Sequence, residues 1–253
     1  MYFDSHAHYN DERFNGDRET LLPALYEQHQ VTCIMNVGYD LESSRQAVML
    51  ARKYPFVYAS AGIHPHDAES IQEGDYACIE ELLREDKVKA IGETGLDYHY
   101  DNSPRQLQKQ AFDNHLRLAE KWNMPVIIHG RDATWDVLDL LKTYHGEGVF
   151  HCFSGSVETA KQVLDMGLYL SFAGPVTFKN ARRQQETAAY VPKDRFLIET
   201  DCPYMAPEPF RGRRNDSSFV YLMAEKIARL KGISKEEAAA LSMANAKRLF
   251  RIE

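Results

Sequence analysis

Residues 88–129, VKAIGETGLDYHYDNSPRQLQKQAFDNHLRLAEKWNMPVIIH, read as a strand, a helix and a second strand. The opening run (88–92) and the closing run (125–129) are short, apolar and rich in β-branched residues, as expected of strands buried on both faces. Between them, Leu107, Ala111, Phe112, Leu116, Leu118, Ala119 and Trp122 make a wide apolar stripe at helical spacing over residues 103–122. Ser103 and Gln106 have the spacing of a capping box, and Pro104 falls where a first helical residue belongs. A helical crossover of this length joins parallel strands, not antiparallel ones.

The same alternation extends in both directions. Strand-like runs occupy residues 2–4, 31–37, 56–63, 88–92, 125–129, 148–153, 169–173 and 196–199, with starts 21 to 37 residues apart. That spacing is one βα unit each. A second capping box, Ser234 with Glu237, opens a last helix that runs to about Phe250. Eight such units in 253 residues predict an α/β fold, a (β/α)8 TIM barrel forming a single domain over residues 1–253. The alternative, a doubly wound open sheet, more often has fewer strands and a Gly-rich first turn. Neither GxGxxG nor GxxxxGK[ST] follows any strand.

Composition narrows the class. Thirty Lys and Arg against thirty-seven Asp and Glu give a net charge of −7, which disfavours a general nucleic-acid coat protein. It leaves room for an enzyme acting on a phosphodiester through bound cations and a local basic patch. No apolar run approaches the roughly 18–20 residues of a membrane span. The first residues lack the basic start and apolar core of a signal peptide. Cys33, Cys78, Cys152 and Cys202 are scattered with no CxxC pair. A cytoplasmic protein with reduced thiols, and with no membrane or obligate protein partner, is expected.

In a parallel barrel all strand C-termini open on one face. His6 and His8 follow the first run, His64 and His66 the third, and Glu93 and Asp97 the fourth; His129 ends the fifth, His151 lies late in the sixth, and Asp201 follows the eighth. His6 and His8, at i and i+2 on extended chain, project to one side about 6–7 Å apart at Cα and can grip one ion. Alone, the pair reads more readily as two polar residues beside a loop. Its convergence with Glu93, His129, His151 and Asp201 favours a metal centre. Four histidines and two carboxylates suit two divalent cations, Zn²⁺, Mn²⁺ or Mg²⁺. Glu93 has two oxygens with which to bridge them, and Asp201 is the expected base. Glu199 shares a face with Asp201 but lies deeper, and is the lesser choice. Cys152 and Cys202 alternate with His151 and Asp201 and are expected to pack away from the site.

For the substrate, Phe210-Arg211-Gly212-Arg213-Arg214-Asn215 is the densest basic stretch, and arginine forks suit phosphate oxygens. The alternative is a solvated charge run. Tyr98, Tyr100 and Tyr204 fall near the same rim and can stack on bases, or simply line the mouth.

Taken together, Asp4-Ser5-His6-Ala7-His8, Gly62-Ile63-His64-Pro65-His66-Asp67, Gly92-Glu93-Thr94-Gly95-Leu96-Asp97, Pro125-Val126-Ile127-Ile128-His129, His151-Cys152-Phe153-Ser154-Gly155 and Glu199-Thr200-Asp201 resemble the TatD-related deoxyribonuclease family. The segment Arg211 to Asn215 resembles that family's Arg-Gly-x-Arg-Asn. The resemblance implies an amidohydrolase-type TIM barrel hydrolysing phosphodiester bonds, often as a 3′-to-5′ exonuclease on DNA, with single strands or 3′ ends as substrate. It implies His6, His8, Glu93, His129, His151 and Asp201 as ligands of one or two divalent metals. His64 matches a residue near the substrate phosphate, and Arg213 and Arg214 join it as substrate-binding candidates. Cys202 departs from the family's Ser or Ala, and Asp216-Ser217 from its Glu-Pro. A rival on the same barrel, an amidohydrolase of cyclic amides or N-acyl groups, would often carry a carboxylated lysine where Glu93 stands. A non-catalytic barrel would more naturally have lost a ligand.

Overall fold

The computed structural model describes residues 1–253. Strands β1 (Tyr2–Ala7), β2 (Val31–Val37), β3 (Val57–Ala61) and β4 (Val88–Asp97) form one half of a ring. Strands β5 (Val126–Arg131), β6 (Gly148–Phe150), β7 (Tyr169–Phe172) and β8 (Phe196–Ile198) form the other. All neighbours pair in parallel and in chain order. Around the ring run α1 (Arg18–His29), α2 (Leu41–Lys53), α3 (Asp75–Leu82), α4 (Arg105–Trp122) and α5 (Thr134–Leu141). The outer layer continues with α6 (Val157–Asp165), α7 (Arg182–Tyr190), α8 (Val220–Lys231) and α9 (Lys235–Phe250). This is the expected barrel. No helix is long and apolar enough to cross a membrane.

Strand alternation divides the apolar side chains into two layers. Ile34, Val57, Ile91, Ile128, Phe150 and Leu170 face outward against the helices. Phe3, Met35, Ala90, Ile127, Val149, Tyr169 and Leu197 fill the inside, where Leu249 and Phe250 of α9 join them. The Phe3 and Phe250 rings lie 6.0 Å apart. Helix α9 thus seals the end of the barrel opposite the ligand-bearing rim.

Closure between β8 and β1 relies on side chains. One backbone bridge joins Ala7 and Cys202. Below it, Asp4 is fully buried and accepts from Thr200 N at 2.9 Å, Thr200 Oγ1 at 2.5 Å and Ser217 Oγ at 2.6 Å. Burial is the main reason the Asp4 carboxyl is pushed up to about 7. Asn215, from the Arg-rich segment, donates to the carbonyls of Thr200 and Tyr204.

The predicted caps divide. Ser234 accepts from Glu237 N at 3.0 Å and caps α9. Ser103 does not cap α4: Pro104 takes that position without a side-chain bond. The Ser103 hydroxyl instead donates to His66 O and accepts from Glu69 N, so it holds the loop after β3.

Candidate metal centre

The fourth strand continues past its predicted end at residue 92 to Asp97. Within this extension Gly92 (φ 119°) and Gly95 (φ 144°) depart from ordinary strand backbone. Both lie in the left-handed half of φ space, and a Cβ at either would collide with the carbonyl oxygen of Ile127 or His129. The register with β5 shifts between Ile91 and Thr94, and this bulge turns Glu93 into the barrel mouth.

There Glu93 divides its two oxygens. Oε2 lies 3.4 Å from His6 Nε2 and 3.7 Å from His8 Nε2. Oε1 lies 2.8 Å from His129 Nδ1 and 2.8 Å from His151 Nε2. On the first side, His6 Nε2 and His8 Nε2 are 3.0 Å apart, with Asp201 Oδ1 3.7 and 3.5 Å away. Four ligands about 2.0–2.1 Å from one tetrahedral cation lie about 3.3–3.4 Å from one another. The spacing fits. On the second side, His129 Nδ1 and His151 Nε2 are 3.2 Å apart.

Two of these rings, His8 and His129, are hydrogen-bonded from behind, which leaves the front nitrogen as the free donor atom, while His151 Nδ1 only lies near a carboxylate and makes no hydrogen bond. His8 Nδ1 lies 3.1 Å from Val37 O, His129 Nε2 3.1 Å from Asp97 Oδ2, and His151 Nδ1 3.5 Å from Glu199 Oε1. His6 Nδ1 is buried without a partner.

Burial would raise the carboxyl pKa of Glu93, but the charge of His151 and the bonds from His129 and His151 outweigh it and hold it well below the usual range. Burial would also lower His151, and Glu93 foremost, with Glu199, raises it well above its ordinary value. Such acid and imidazole pairs, buried where their protons can give way to a cation, fit a divalent metal and explain why so many polar groups are tolerated here.

His64, expected near the substrate, lies with Nε2 3.6 Å from Glu93 Oε1. His64, Glu93 and His129 also come within ligand distance of one another. Its Nδ1, however, accepts from His66 N at 3.2 Å, so the ring proton sits on Nε2 and points at the mouth. That makes His64 a hydrogen-bond donor there. Burial, then His129, lowers its pKa well below the ordinary value and keeps it neutral.

The mouth is a cleft of about 470 Å³, lined among others by His66, Asp67, Tyr100, Arg131 and Tyr204. Arg213 and Arg214 do not line it. Arg214 pairs with Asp17 and stacks on Phe14, and Arg213 lies against Phe210. The arginine of the cleft is Arg131, stacked 4.7 Å over Tyr100. Tyr100 and Tyr204 are exposed in the cleft, whereas Tyr98 is bonded to Asp136.

Three residues were underrated in sequence. Asp97 accepts from His129, and its Oδ2 also lies 3.0 Å from His66 Nε2. Glu199 is buried and accepts from Cys152 N at 2.7 Å. Cys152 does not pack away as Cys202 does. Its left-handed φ of 42° breaks the strand alternation, and burial, then Asp201 and Glu199, pushes the thiol up. Parity carried a signal for the two acids, since Asp97 is four residues from Glu93 and Glu199 two from Asp201.

Barrel and donor set define a metal-dependent hydrolase with its centre at the C-terminal rim. The model of the TatD-related DNase family matches residues 3–251, and the chain belongs to that family. The metal-dependent hydrolase YabD of Bacillus subtilis is 48% identical over 255 residues, covering 100% of both chains. The 3′-5′ ssDNA/RNA exonuclease TatD of Salmonella typhimurium is 31% identical over 258 residues, covering 99% of each. The crystal structure of YJJV, a TatD homologue from Escherichia coli, matches with a TM-score of 0.94 at 28% identity, over 100% of this chain and 98% of that one.

Proposed function

We propose that this protein hydrolyses the phosphodiester bonds of DNA, removing nucleotides from the 3′ ends of single strands with two divalent cations (Zn²⁺, Mg²⁺ or Mn²⁺). Glu93 carries the reading, because each of its oxygens faces a separate group of imidazole nitrogens. His6, His8 and Asp201 would hold one cation and His129 and His151 the other, with Glu93 between them. Bound there, the cations supply Lewis acidity and a water of lowered pKa. Asp201, whose carboxyl is held down by His8 and the other histidines against the effect of burial, accepts the proton of the attacking water at its free oxygen. His64 donates Nε2–H to a phosphate oxygen. Tyr100 and Tyr204 offer bases the ring faces not covered by Arg131 and Arg13. The exonuclease relative supports a single-stranded substrate. Four free cysteines suit work in the cytoplasm.

The test is a 5′-labelled single-stranded oligonucleotide incubated with each cation, beside elemental analysis of the protein. A ladder shortening from the 3′ end, abolished by chelator, is expected. An intact oligonucleotide alongside hydrolysis of small amides would overturn the reading in favour of the amidohydrolase rival.

A further inference from the structure

Beside the metal cleft lies a smaller pocket of about 100 Å³, bordered by Asp132, Thr134, Ser154 and Arg183 with Gly130 and Gly155, and also by the rings of Phe150 and Phe153. Thr134 opens α5, Ser154 and Gly155 precede α6, and Arg183 sits in the first turn of α7. All follow strands, so the pocket opens on the same face as the metal centre. The chain from 129 to 132 divides the two: His129 and Arg131 line the cleft, Gly130 and Asp132 the pocket.

Charge sets this flank apart. Asp132 is taken by His99 and Glu186 by Arg182, which leaves Arg131 and Arg183 without a carboxylate partner. On the opposite flank, past Tyr39, Asp11, Glu12, Asp40 and Glu42 line a neighbouring pocket, where only Asp11 has a cation, Arg13. A polyanion leaving the cleft is drawn to the first flank and repelled by the second.

We propose that the small pocket is a second phosphate subsite, which takes an internal phosphate of the substrate strand while Arg131 guides the chain between it and the metal centre. The inference rests on the nucleic-acid reading above. Arg183 supplies a guanidinium fork, and Ser154 and Thr134 supply hydroxyl donors. The first turn of α5 has no side-chain cap, so its N–H groups add further donors to a group already held by Arg183. The volume is far below the roughly 300 Å³ at which sites for whole organic ligands begin. It admits a phosphate and leaves base and sugar outside.

The test compares a short single-stranded oligonucleotide with bis(p-nitrophenyl) phosphate, which has one phosphodiester and cannot span both sites. Arg183 is exposed, so Arg183→Ala leaves the fold intact. It should raise KM for the oligonucleotide about 5-fold and flatten its log–log salt dependence by about 0.7, with the small diester turned over as before. Arg183→Lys should recover part of the loss. An unchanged oligonucleotide KM and salt slope, or equal losses on both substrates, would overturn the subsite alone. Wild-type turnover of the small diester with no cleavage of the oligonucleotide would overturn the nucleic-acid reading, and the subsite with it.

Discussion

Asp97 Oδ2 lies 3.1 Å from Nε2 of His129, on the far side of the ring from Nδ1, which meets Glu93 Oε1 at 2.8 Å. The carboxylate cannot drift, because its other oxygen accepts from the backbone N–H groups of His99 and Tyr100. It therefore fixes which nitrogen of His129 carries the proton and which is free for a cation. Outer partners of this kind are worth about 10–100-fold in metal affinity. Asp97→Ala should show that loss in competition against a chromophoric chelator, with far-UV circular dichroism unchanged. Wild-type affinity would mean that packing alone orients His129.

Glu93→Ala removes the carboxylate shared by both groups of histidines. The residue sits in the mouth and holds up none of the apolar core, so the chain should fold. Metal content should drop below that of the wild type, from the two ions proposed to one or none, and turnover should fall below detection. A variant that no longer folds would give Glu93 a structural role instead.

Asp201→Asn keeps the shape of the side chain and removes its capacity to take a proton. Its backbone is held by His6 O and by the Asp4–Thr200 bonds, so the amide should occupy the same place. Metal should still bind in part, while kcat falls by about 10²–10⁴, the usual worth of a general base. Near-wild-type kcat would assign the proton to another acceptor.

Proton release gives an independent reading of the centre. Burial lowers His8, His129 and His151, but Asp201 and Glu93 beside His8, Asp97 and Glu93 beside His129, and Glu93 with Glu199 beside His151 outweigh it and raise all three. A raised pKa keeps each ring protonated to higher pH than the ordinary value of about 6.5. Those protons must leave before the nitrogens can bind a cation. Metal affinity should therefore go on climbing with pH above the ordinary imidazole range, with protons released as each ion binds. Calorimetry in two buffers of different ionisation enthalpy measures this, and a heat independent of buffer would contradict it.

What the sequence conveyed, and what it withheld, follows from how local each signal is. The eight-strand alternation and the rim positions of His6, His8, Glu93, His129, His151 and Asp201 were legible because period and parity are properties of the chain itself. The bulge at Gly92 and Gly95 was not, since it depends on how closely β5 approaches. Ser103 had the spacing of a cap, yet it bonds to the loop after β3, a partner found only in the folded molecule. Arg213 and Arg214 stood out for their density, a measure blind to direction; neither lines the cleft, and Asn215 beside them ties the loop after β8. Arg131, two residues past His129 and on its face, was overlooked because an isolated charge draws no notice.

That contrast between cleft-lining and loop arginines yields a last set of variants. Arg131 projects into the cleft and stacks on Tyr100, so Arg131→Ala should weaken binding of an anionic strand. A several-fold rise in KM for oligonucleotide is expected, about 5–10-fold for one lost charge-assisted contact, with a shallower salt slope. Arg214 is engaged with Asp17, the Arg13 carbonyl and the Phe14 ring. Arg214→Ala should lower stability by no more than about 1 kcal/mol, the scale of an exposed pair, and leave KM and salt slope alone, as should Arg213→Ala. Matched KM and salt series on the three proteins decide the point. If the Arg213 and Arg214 variants lose the salt dependence and the Arg131 variant keeps it, the strand crosses the other side of the mouth.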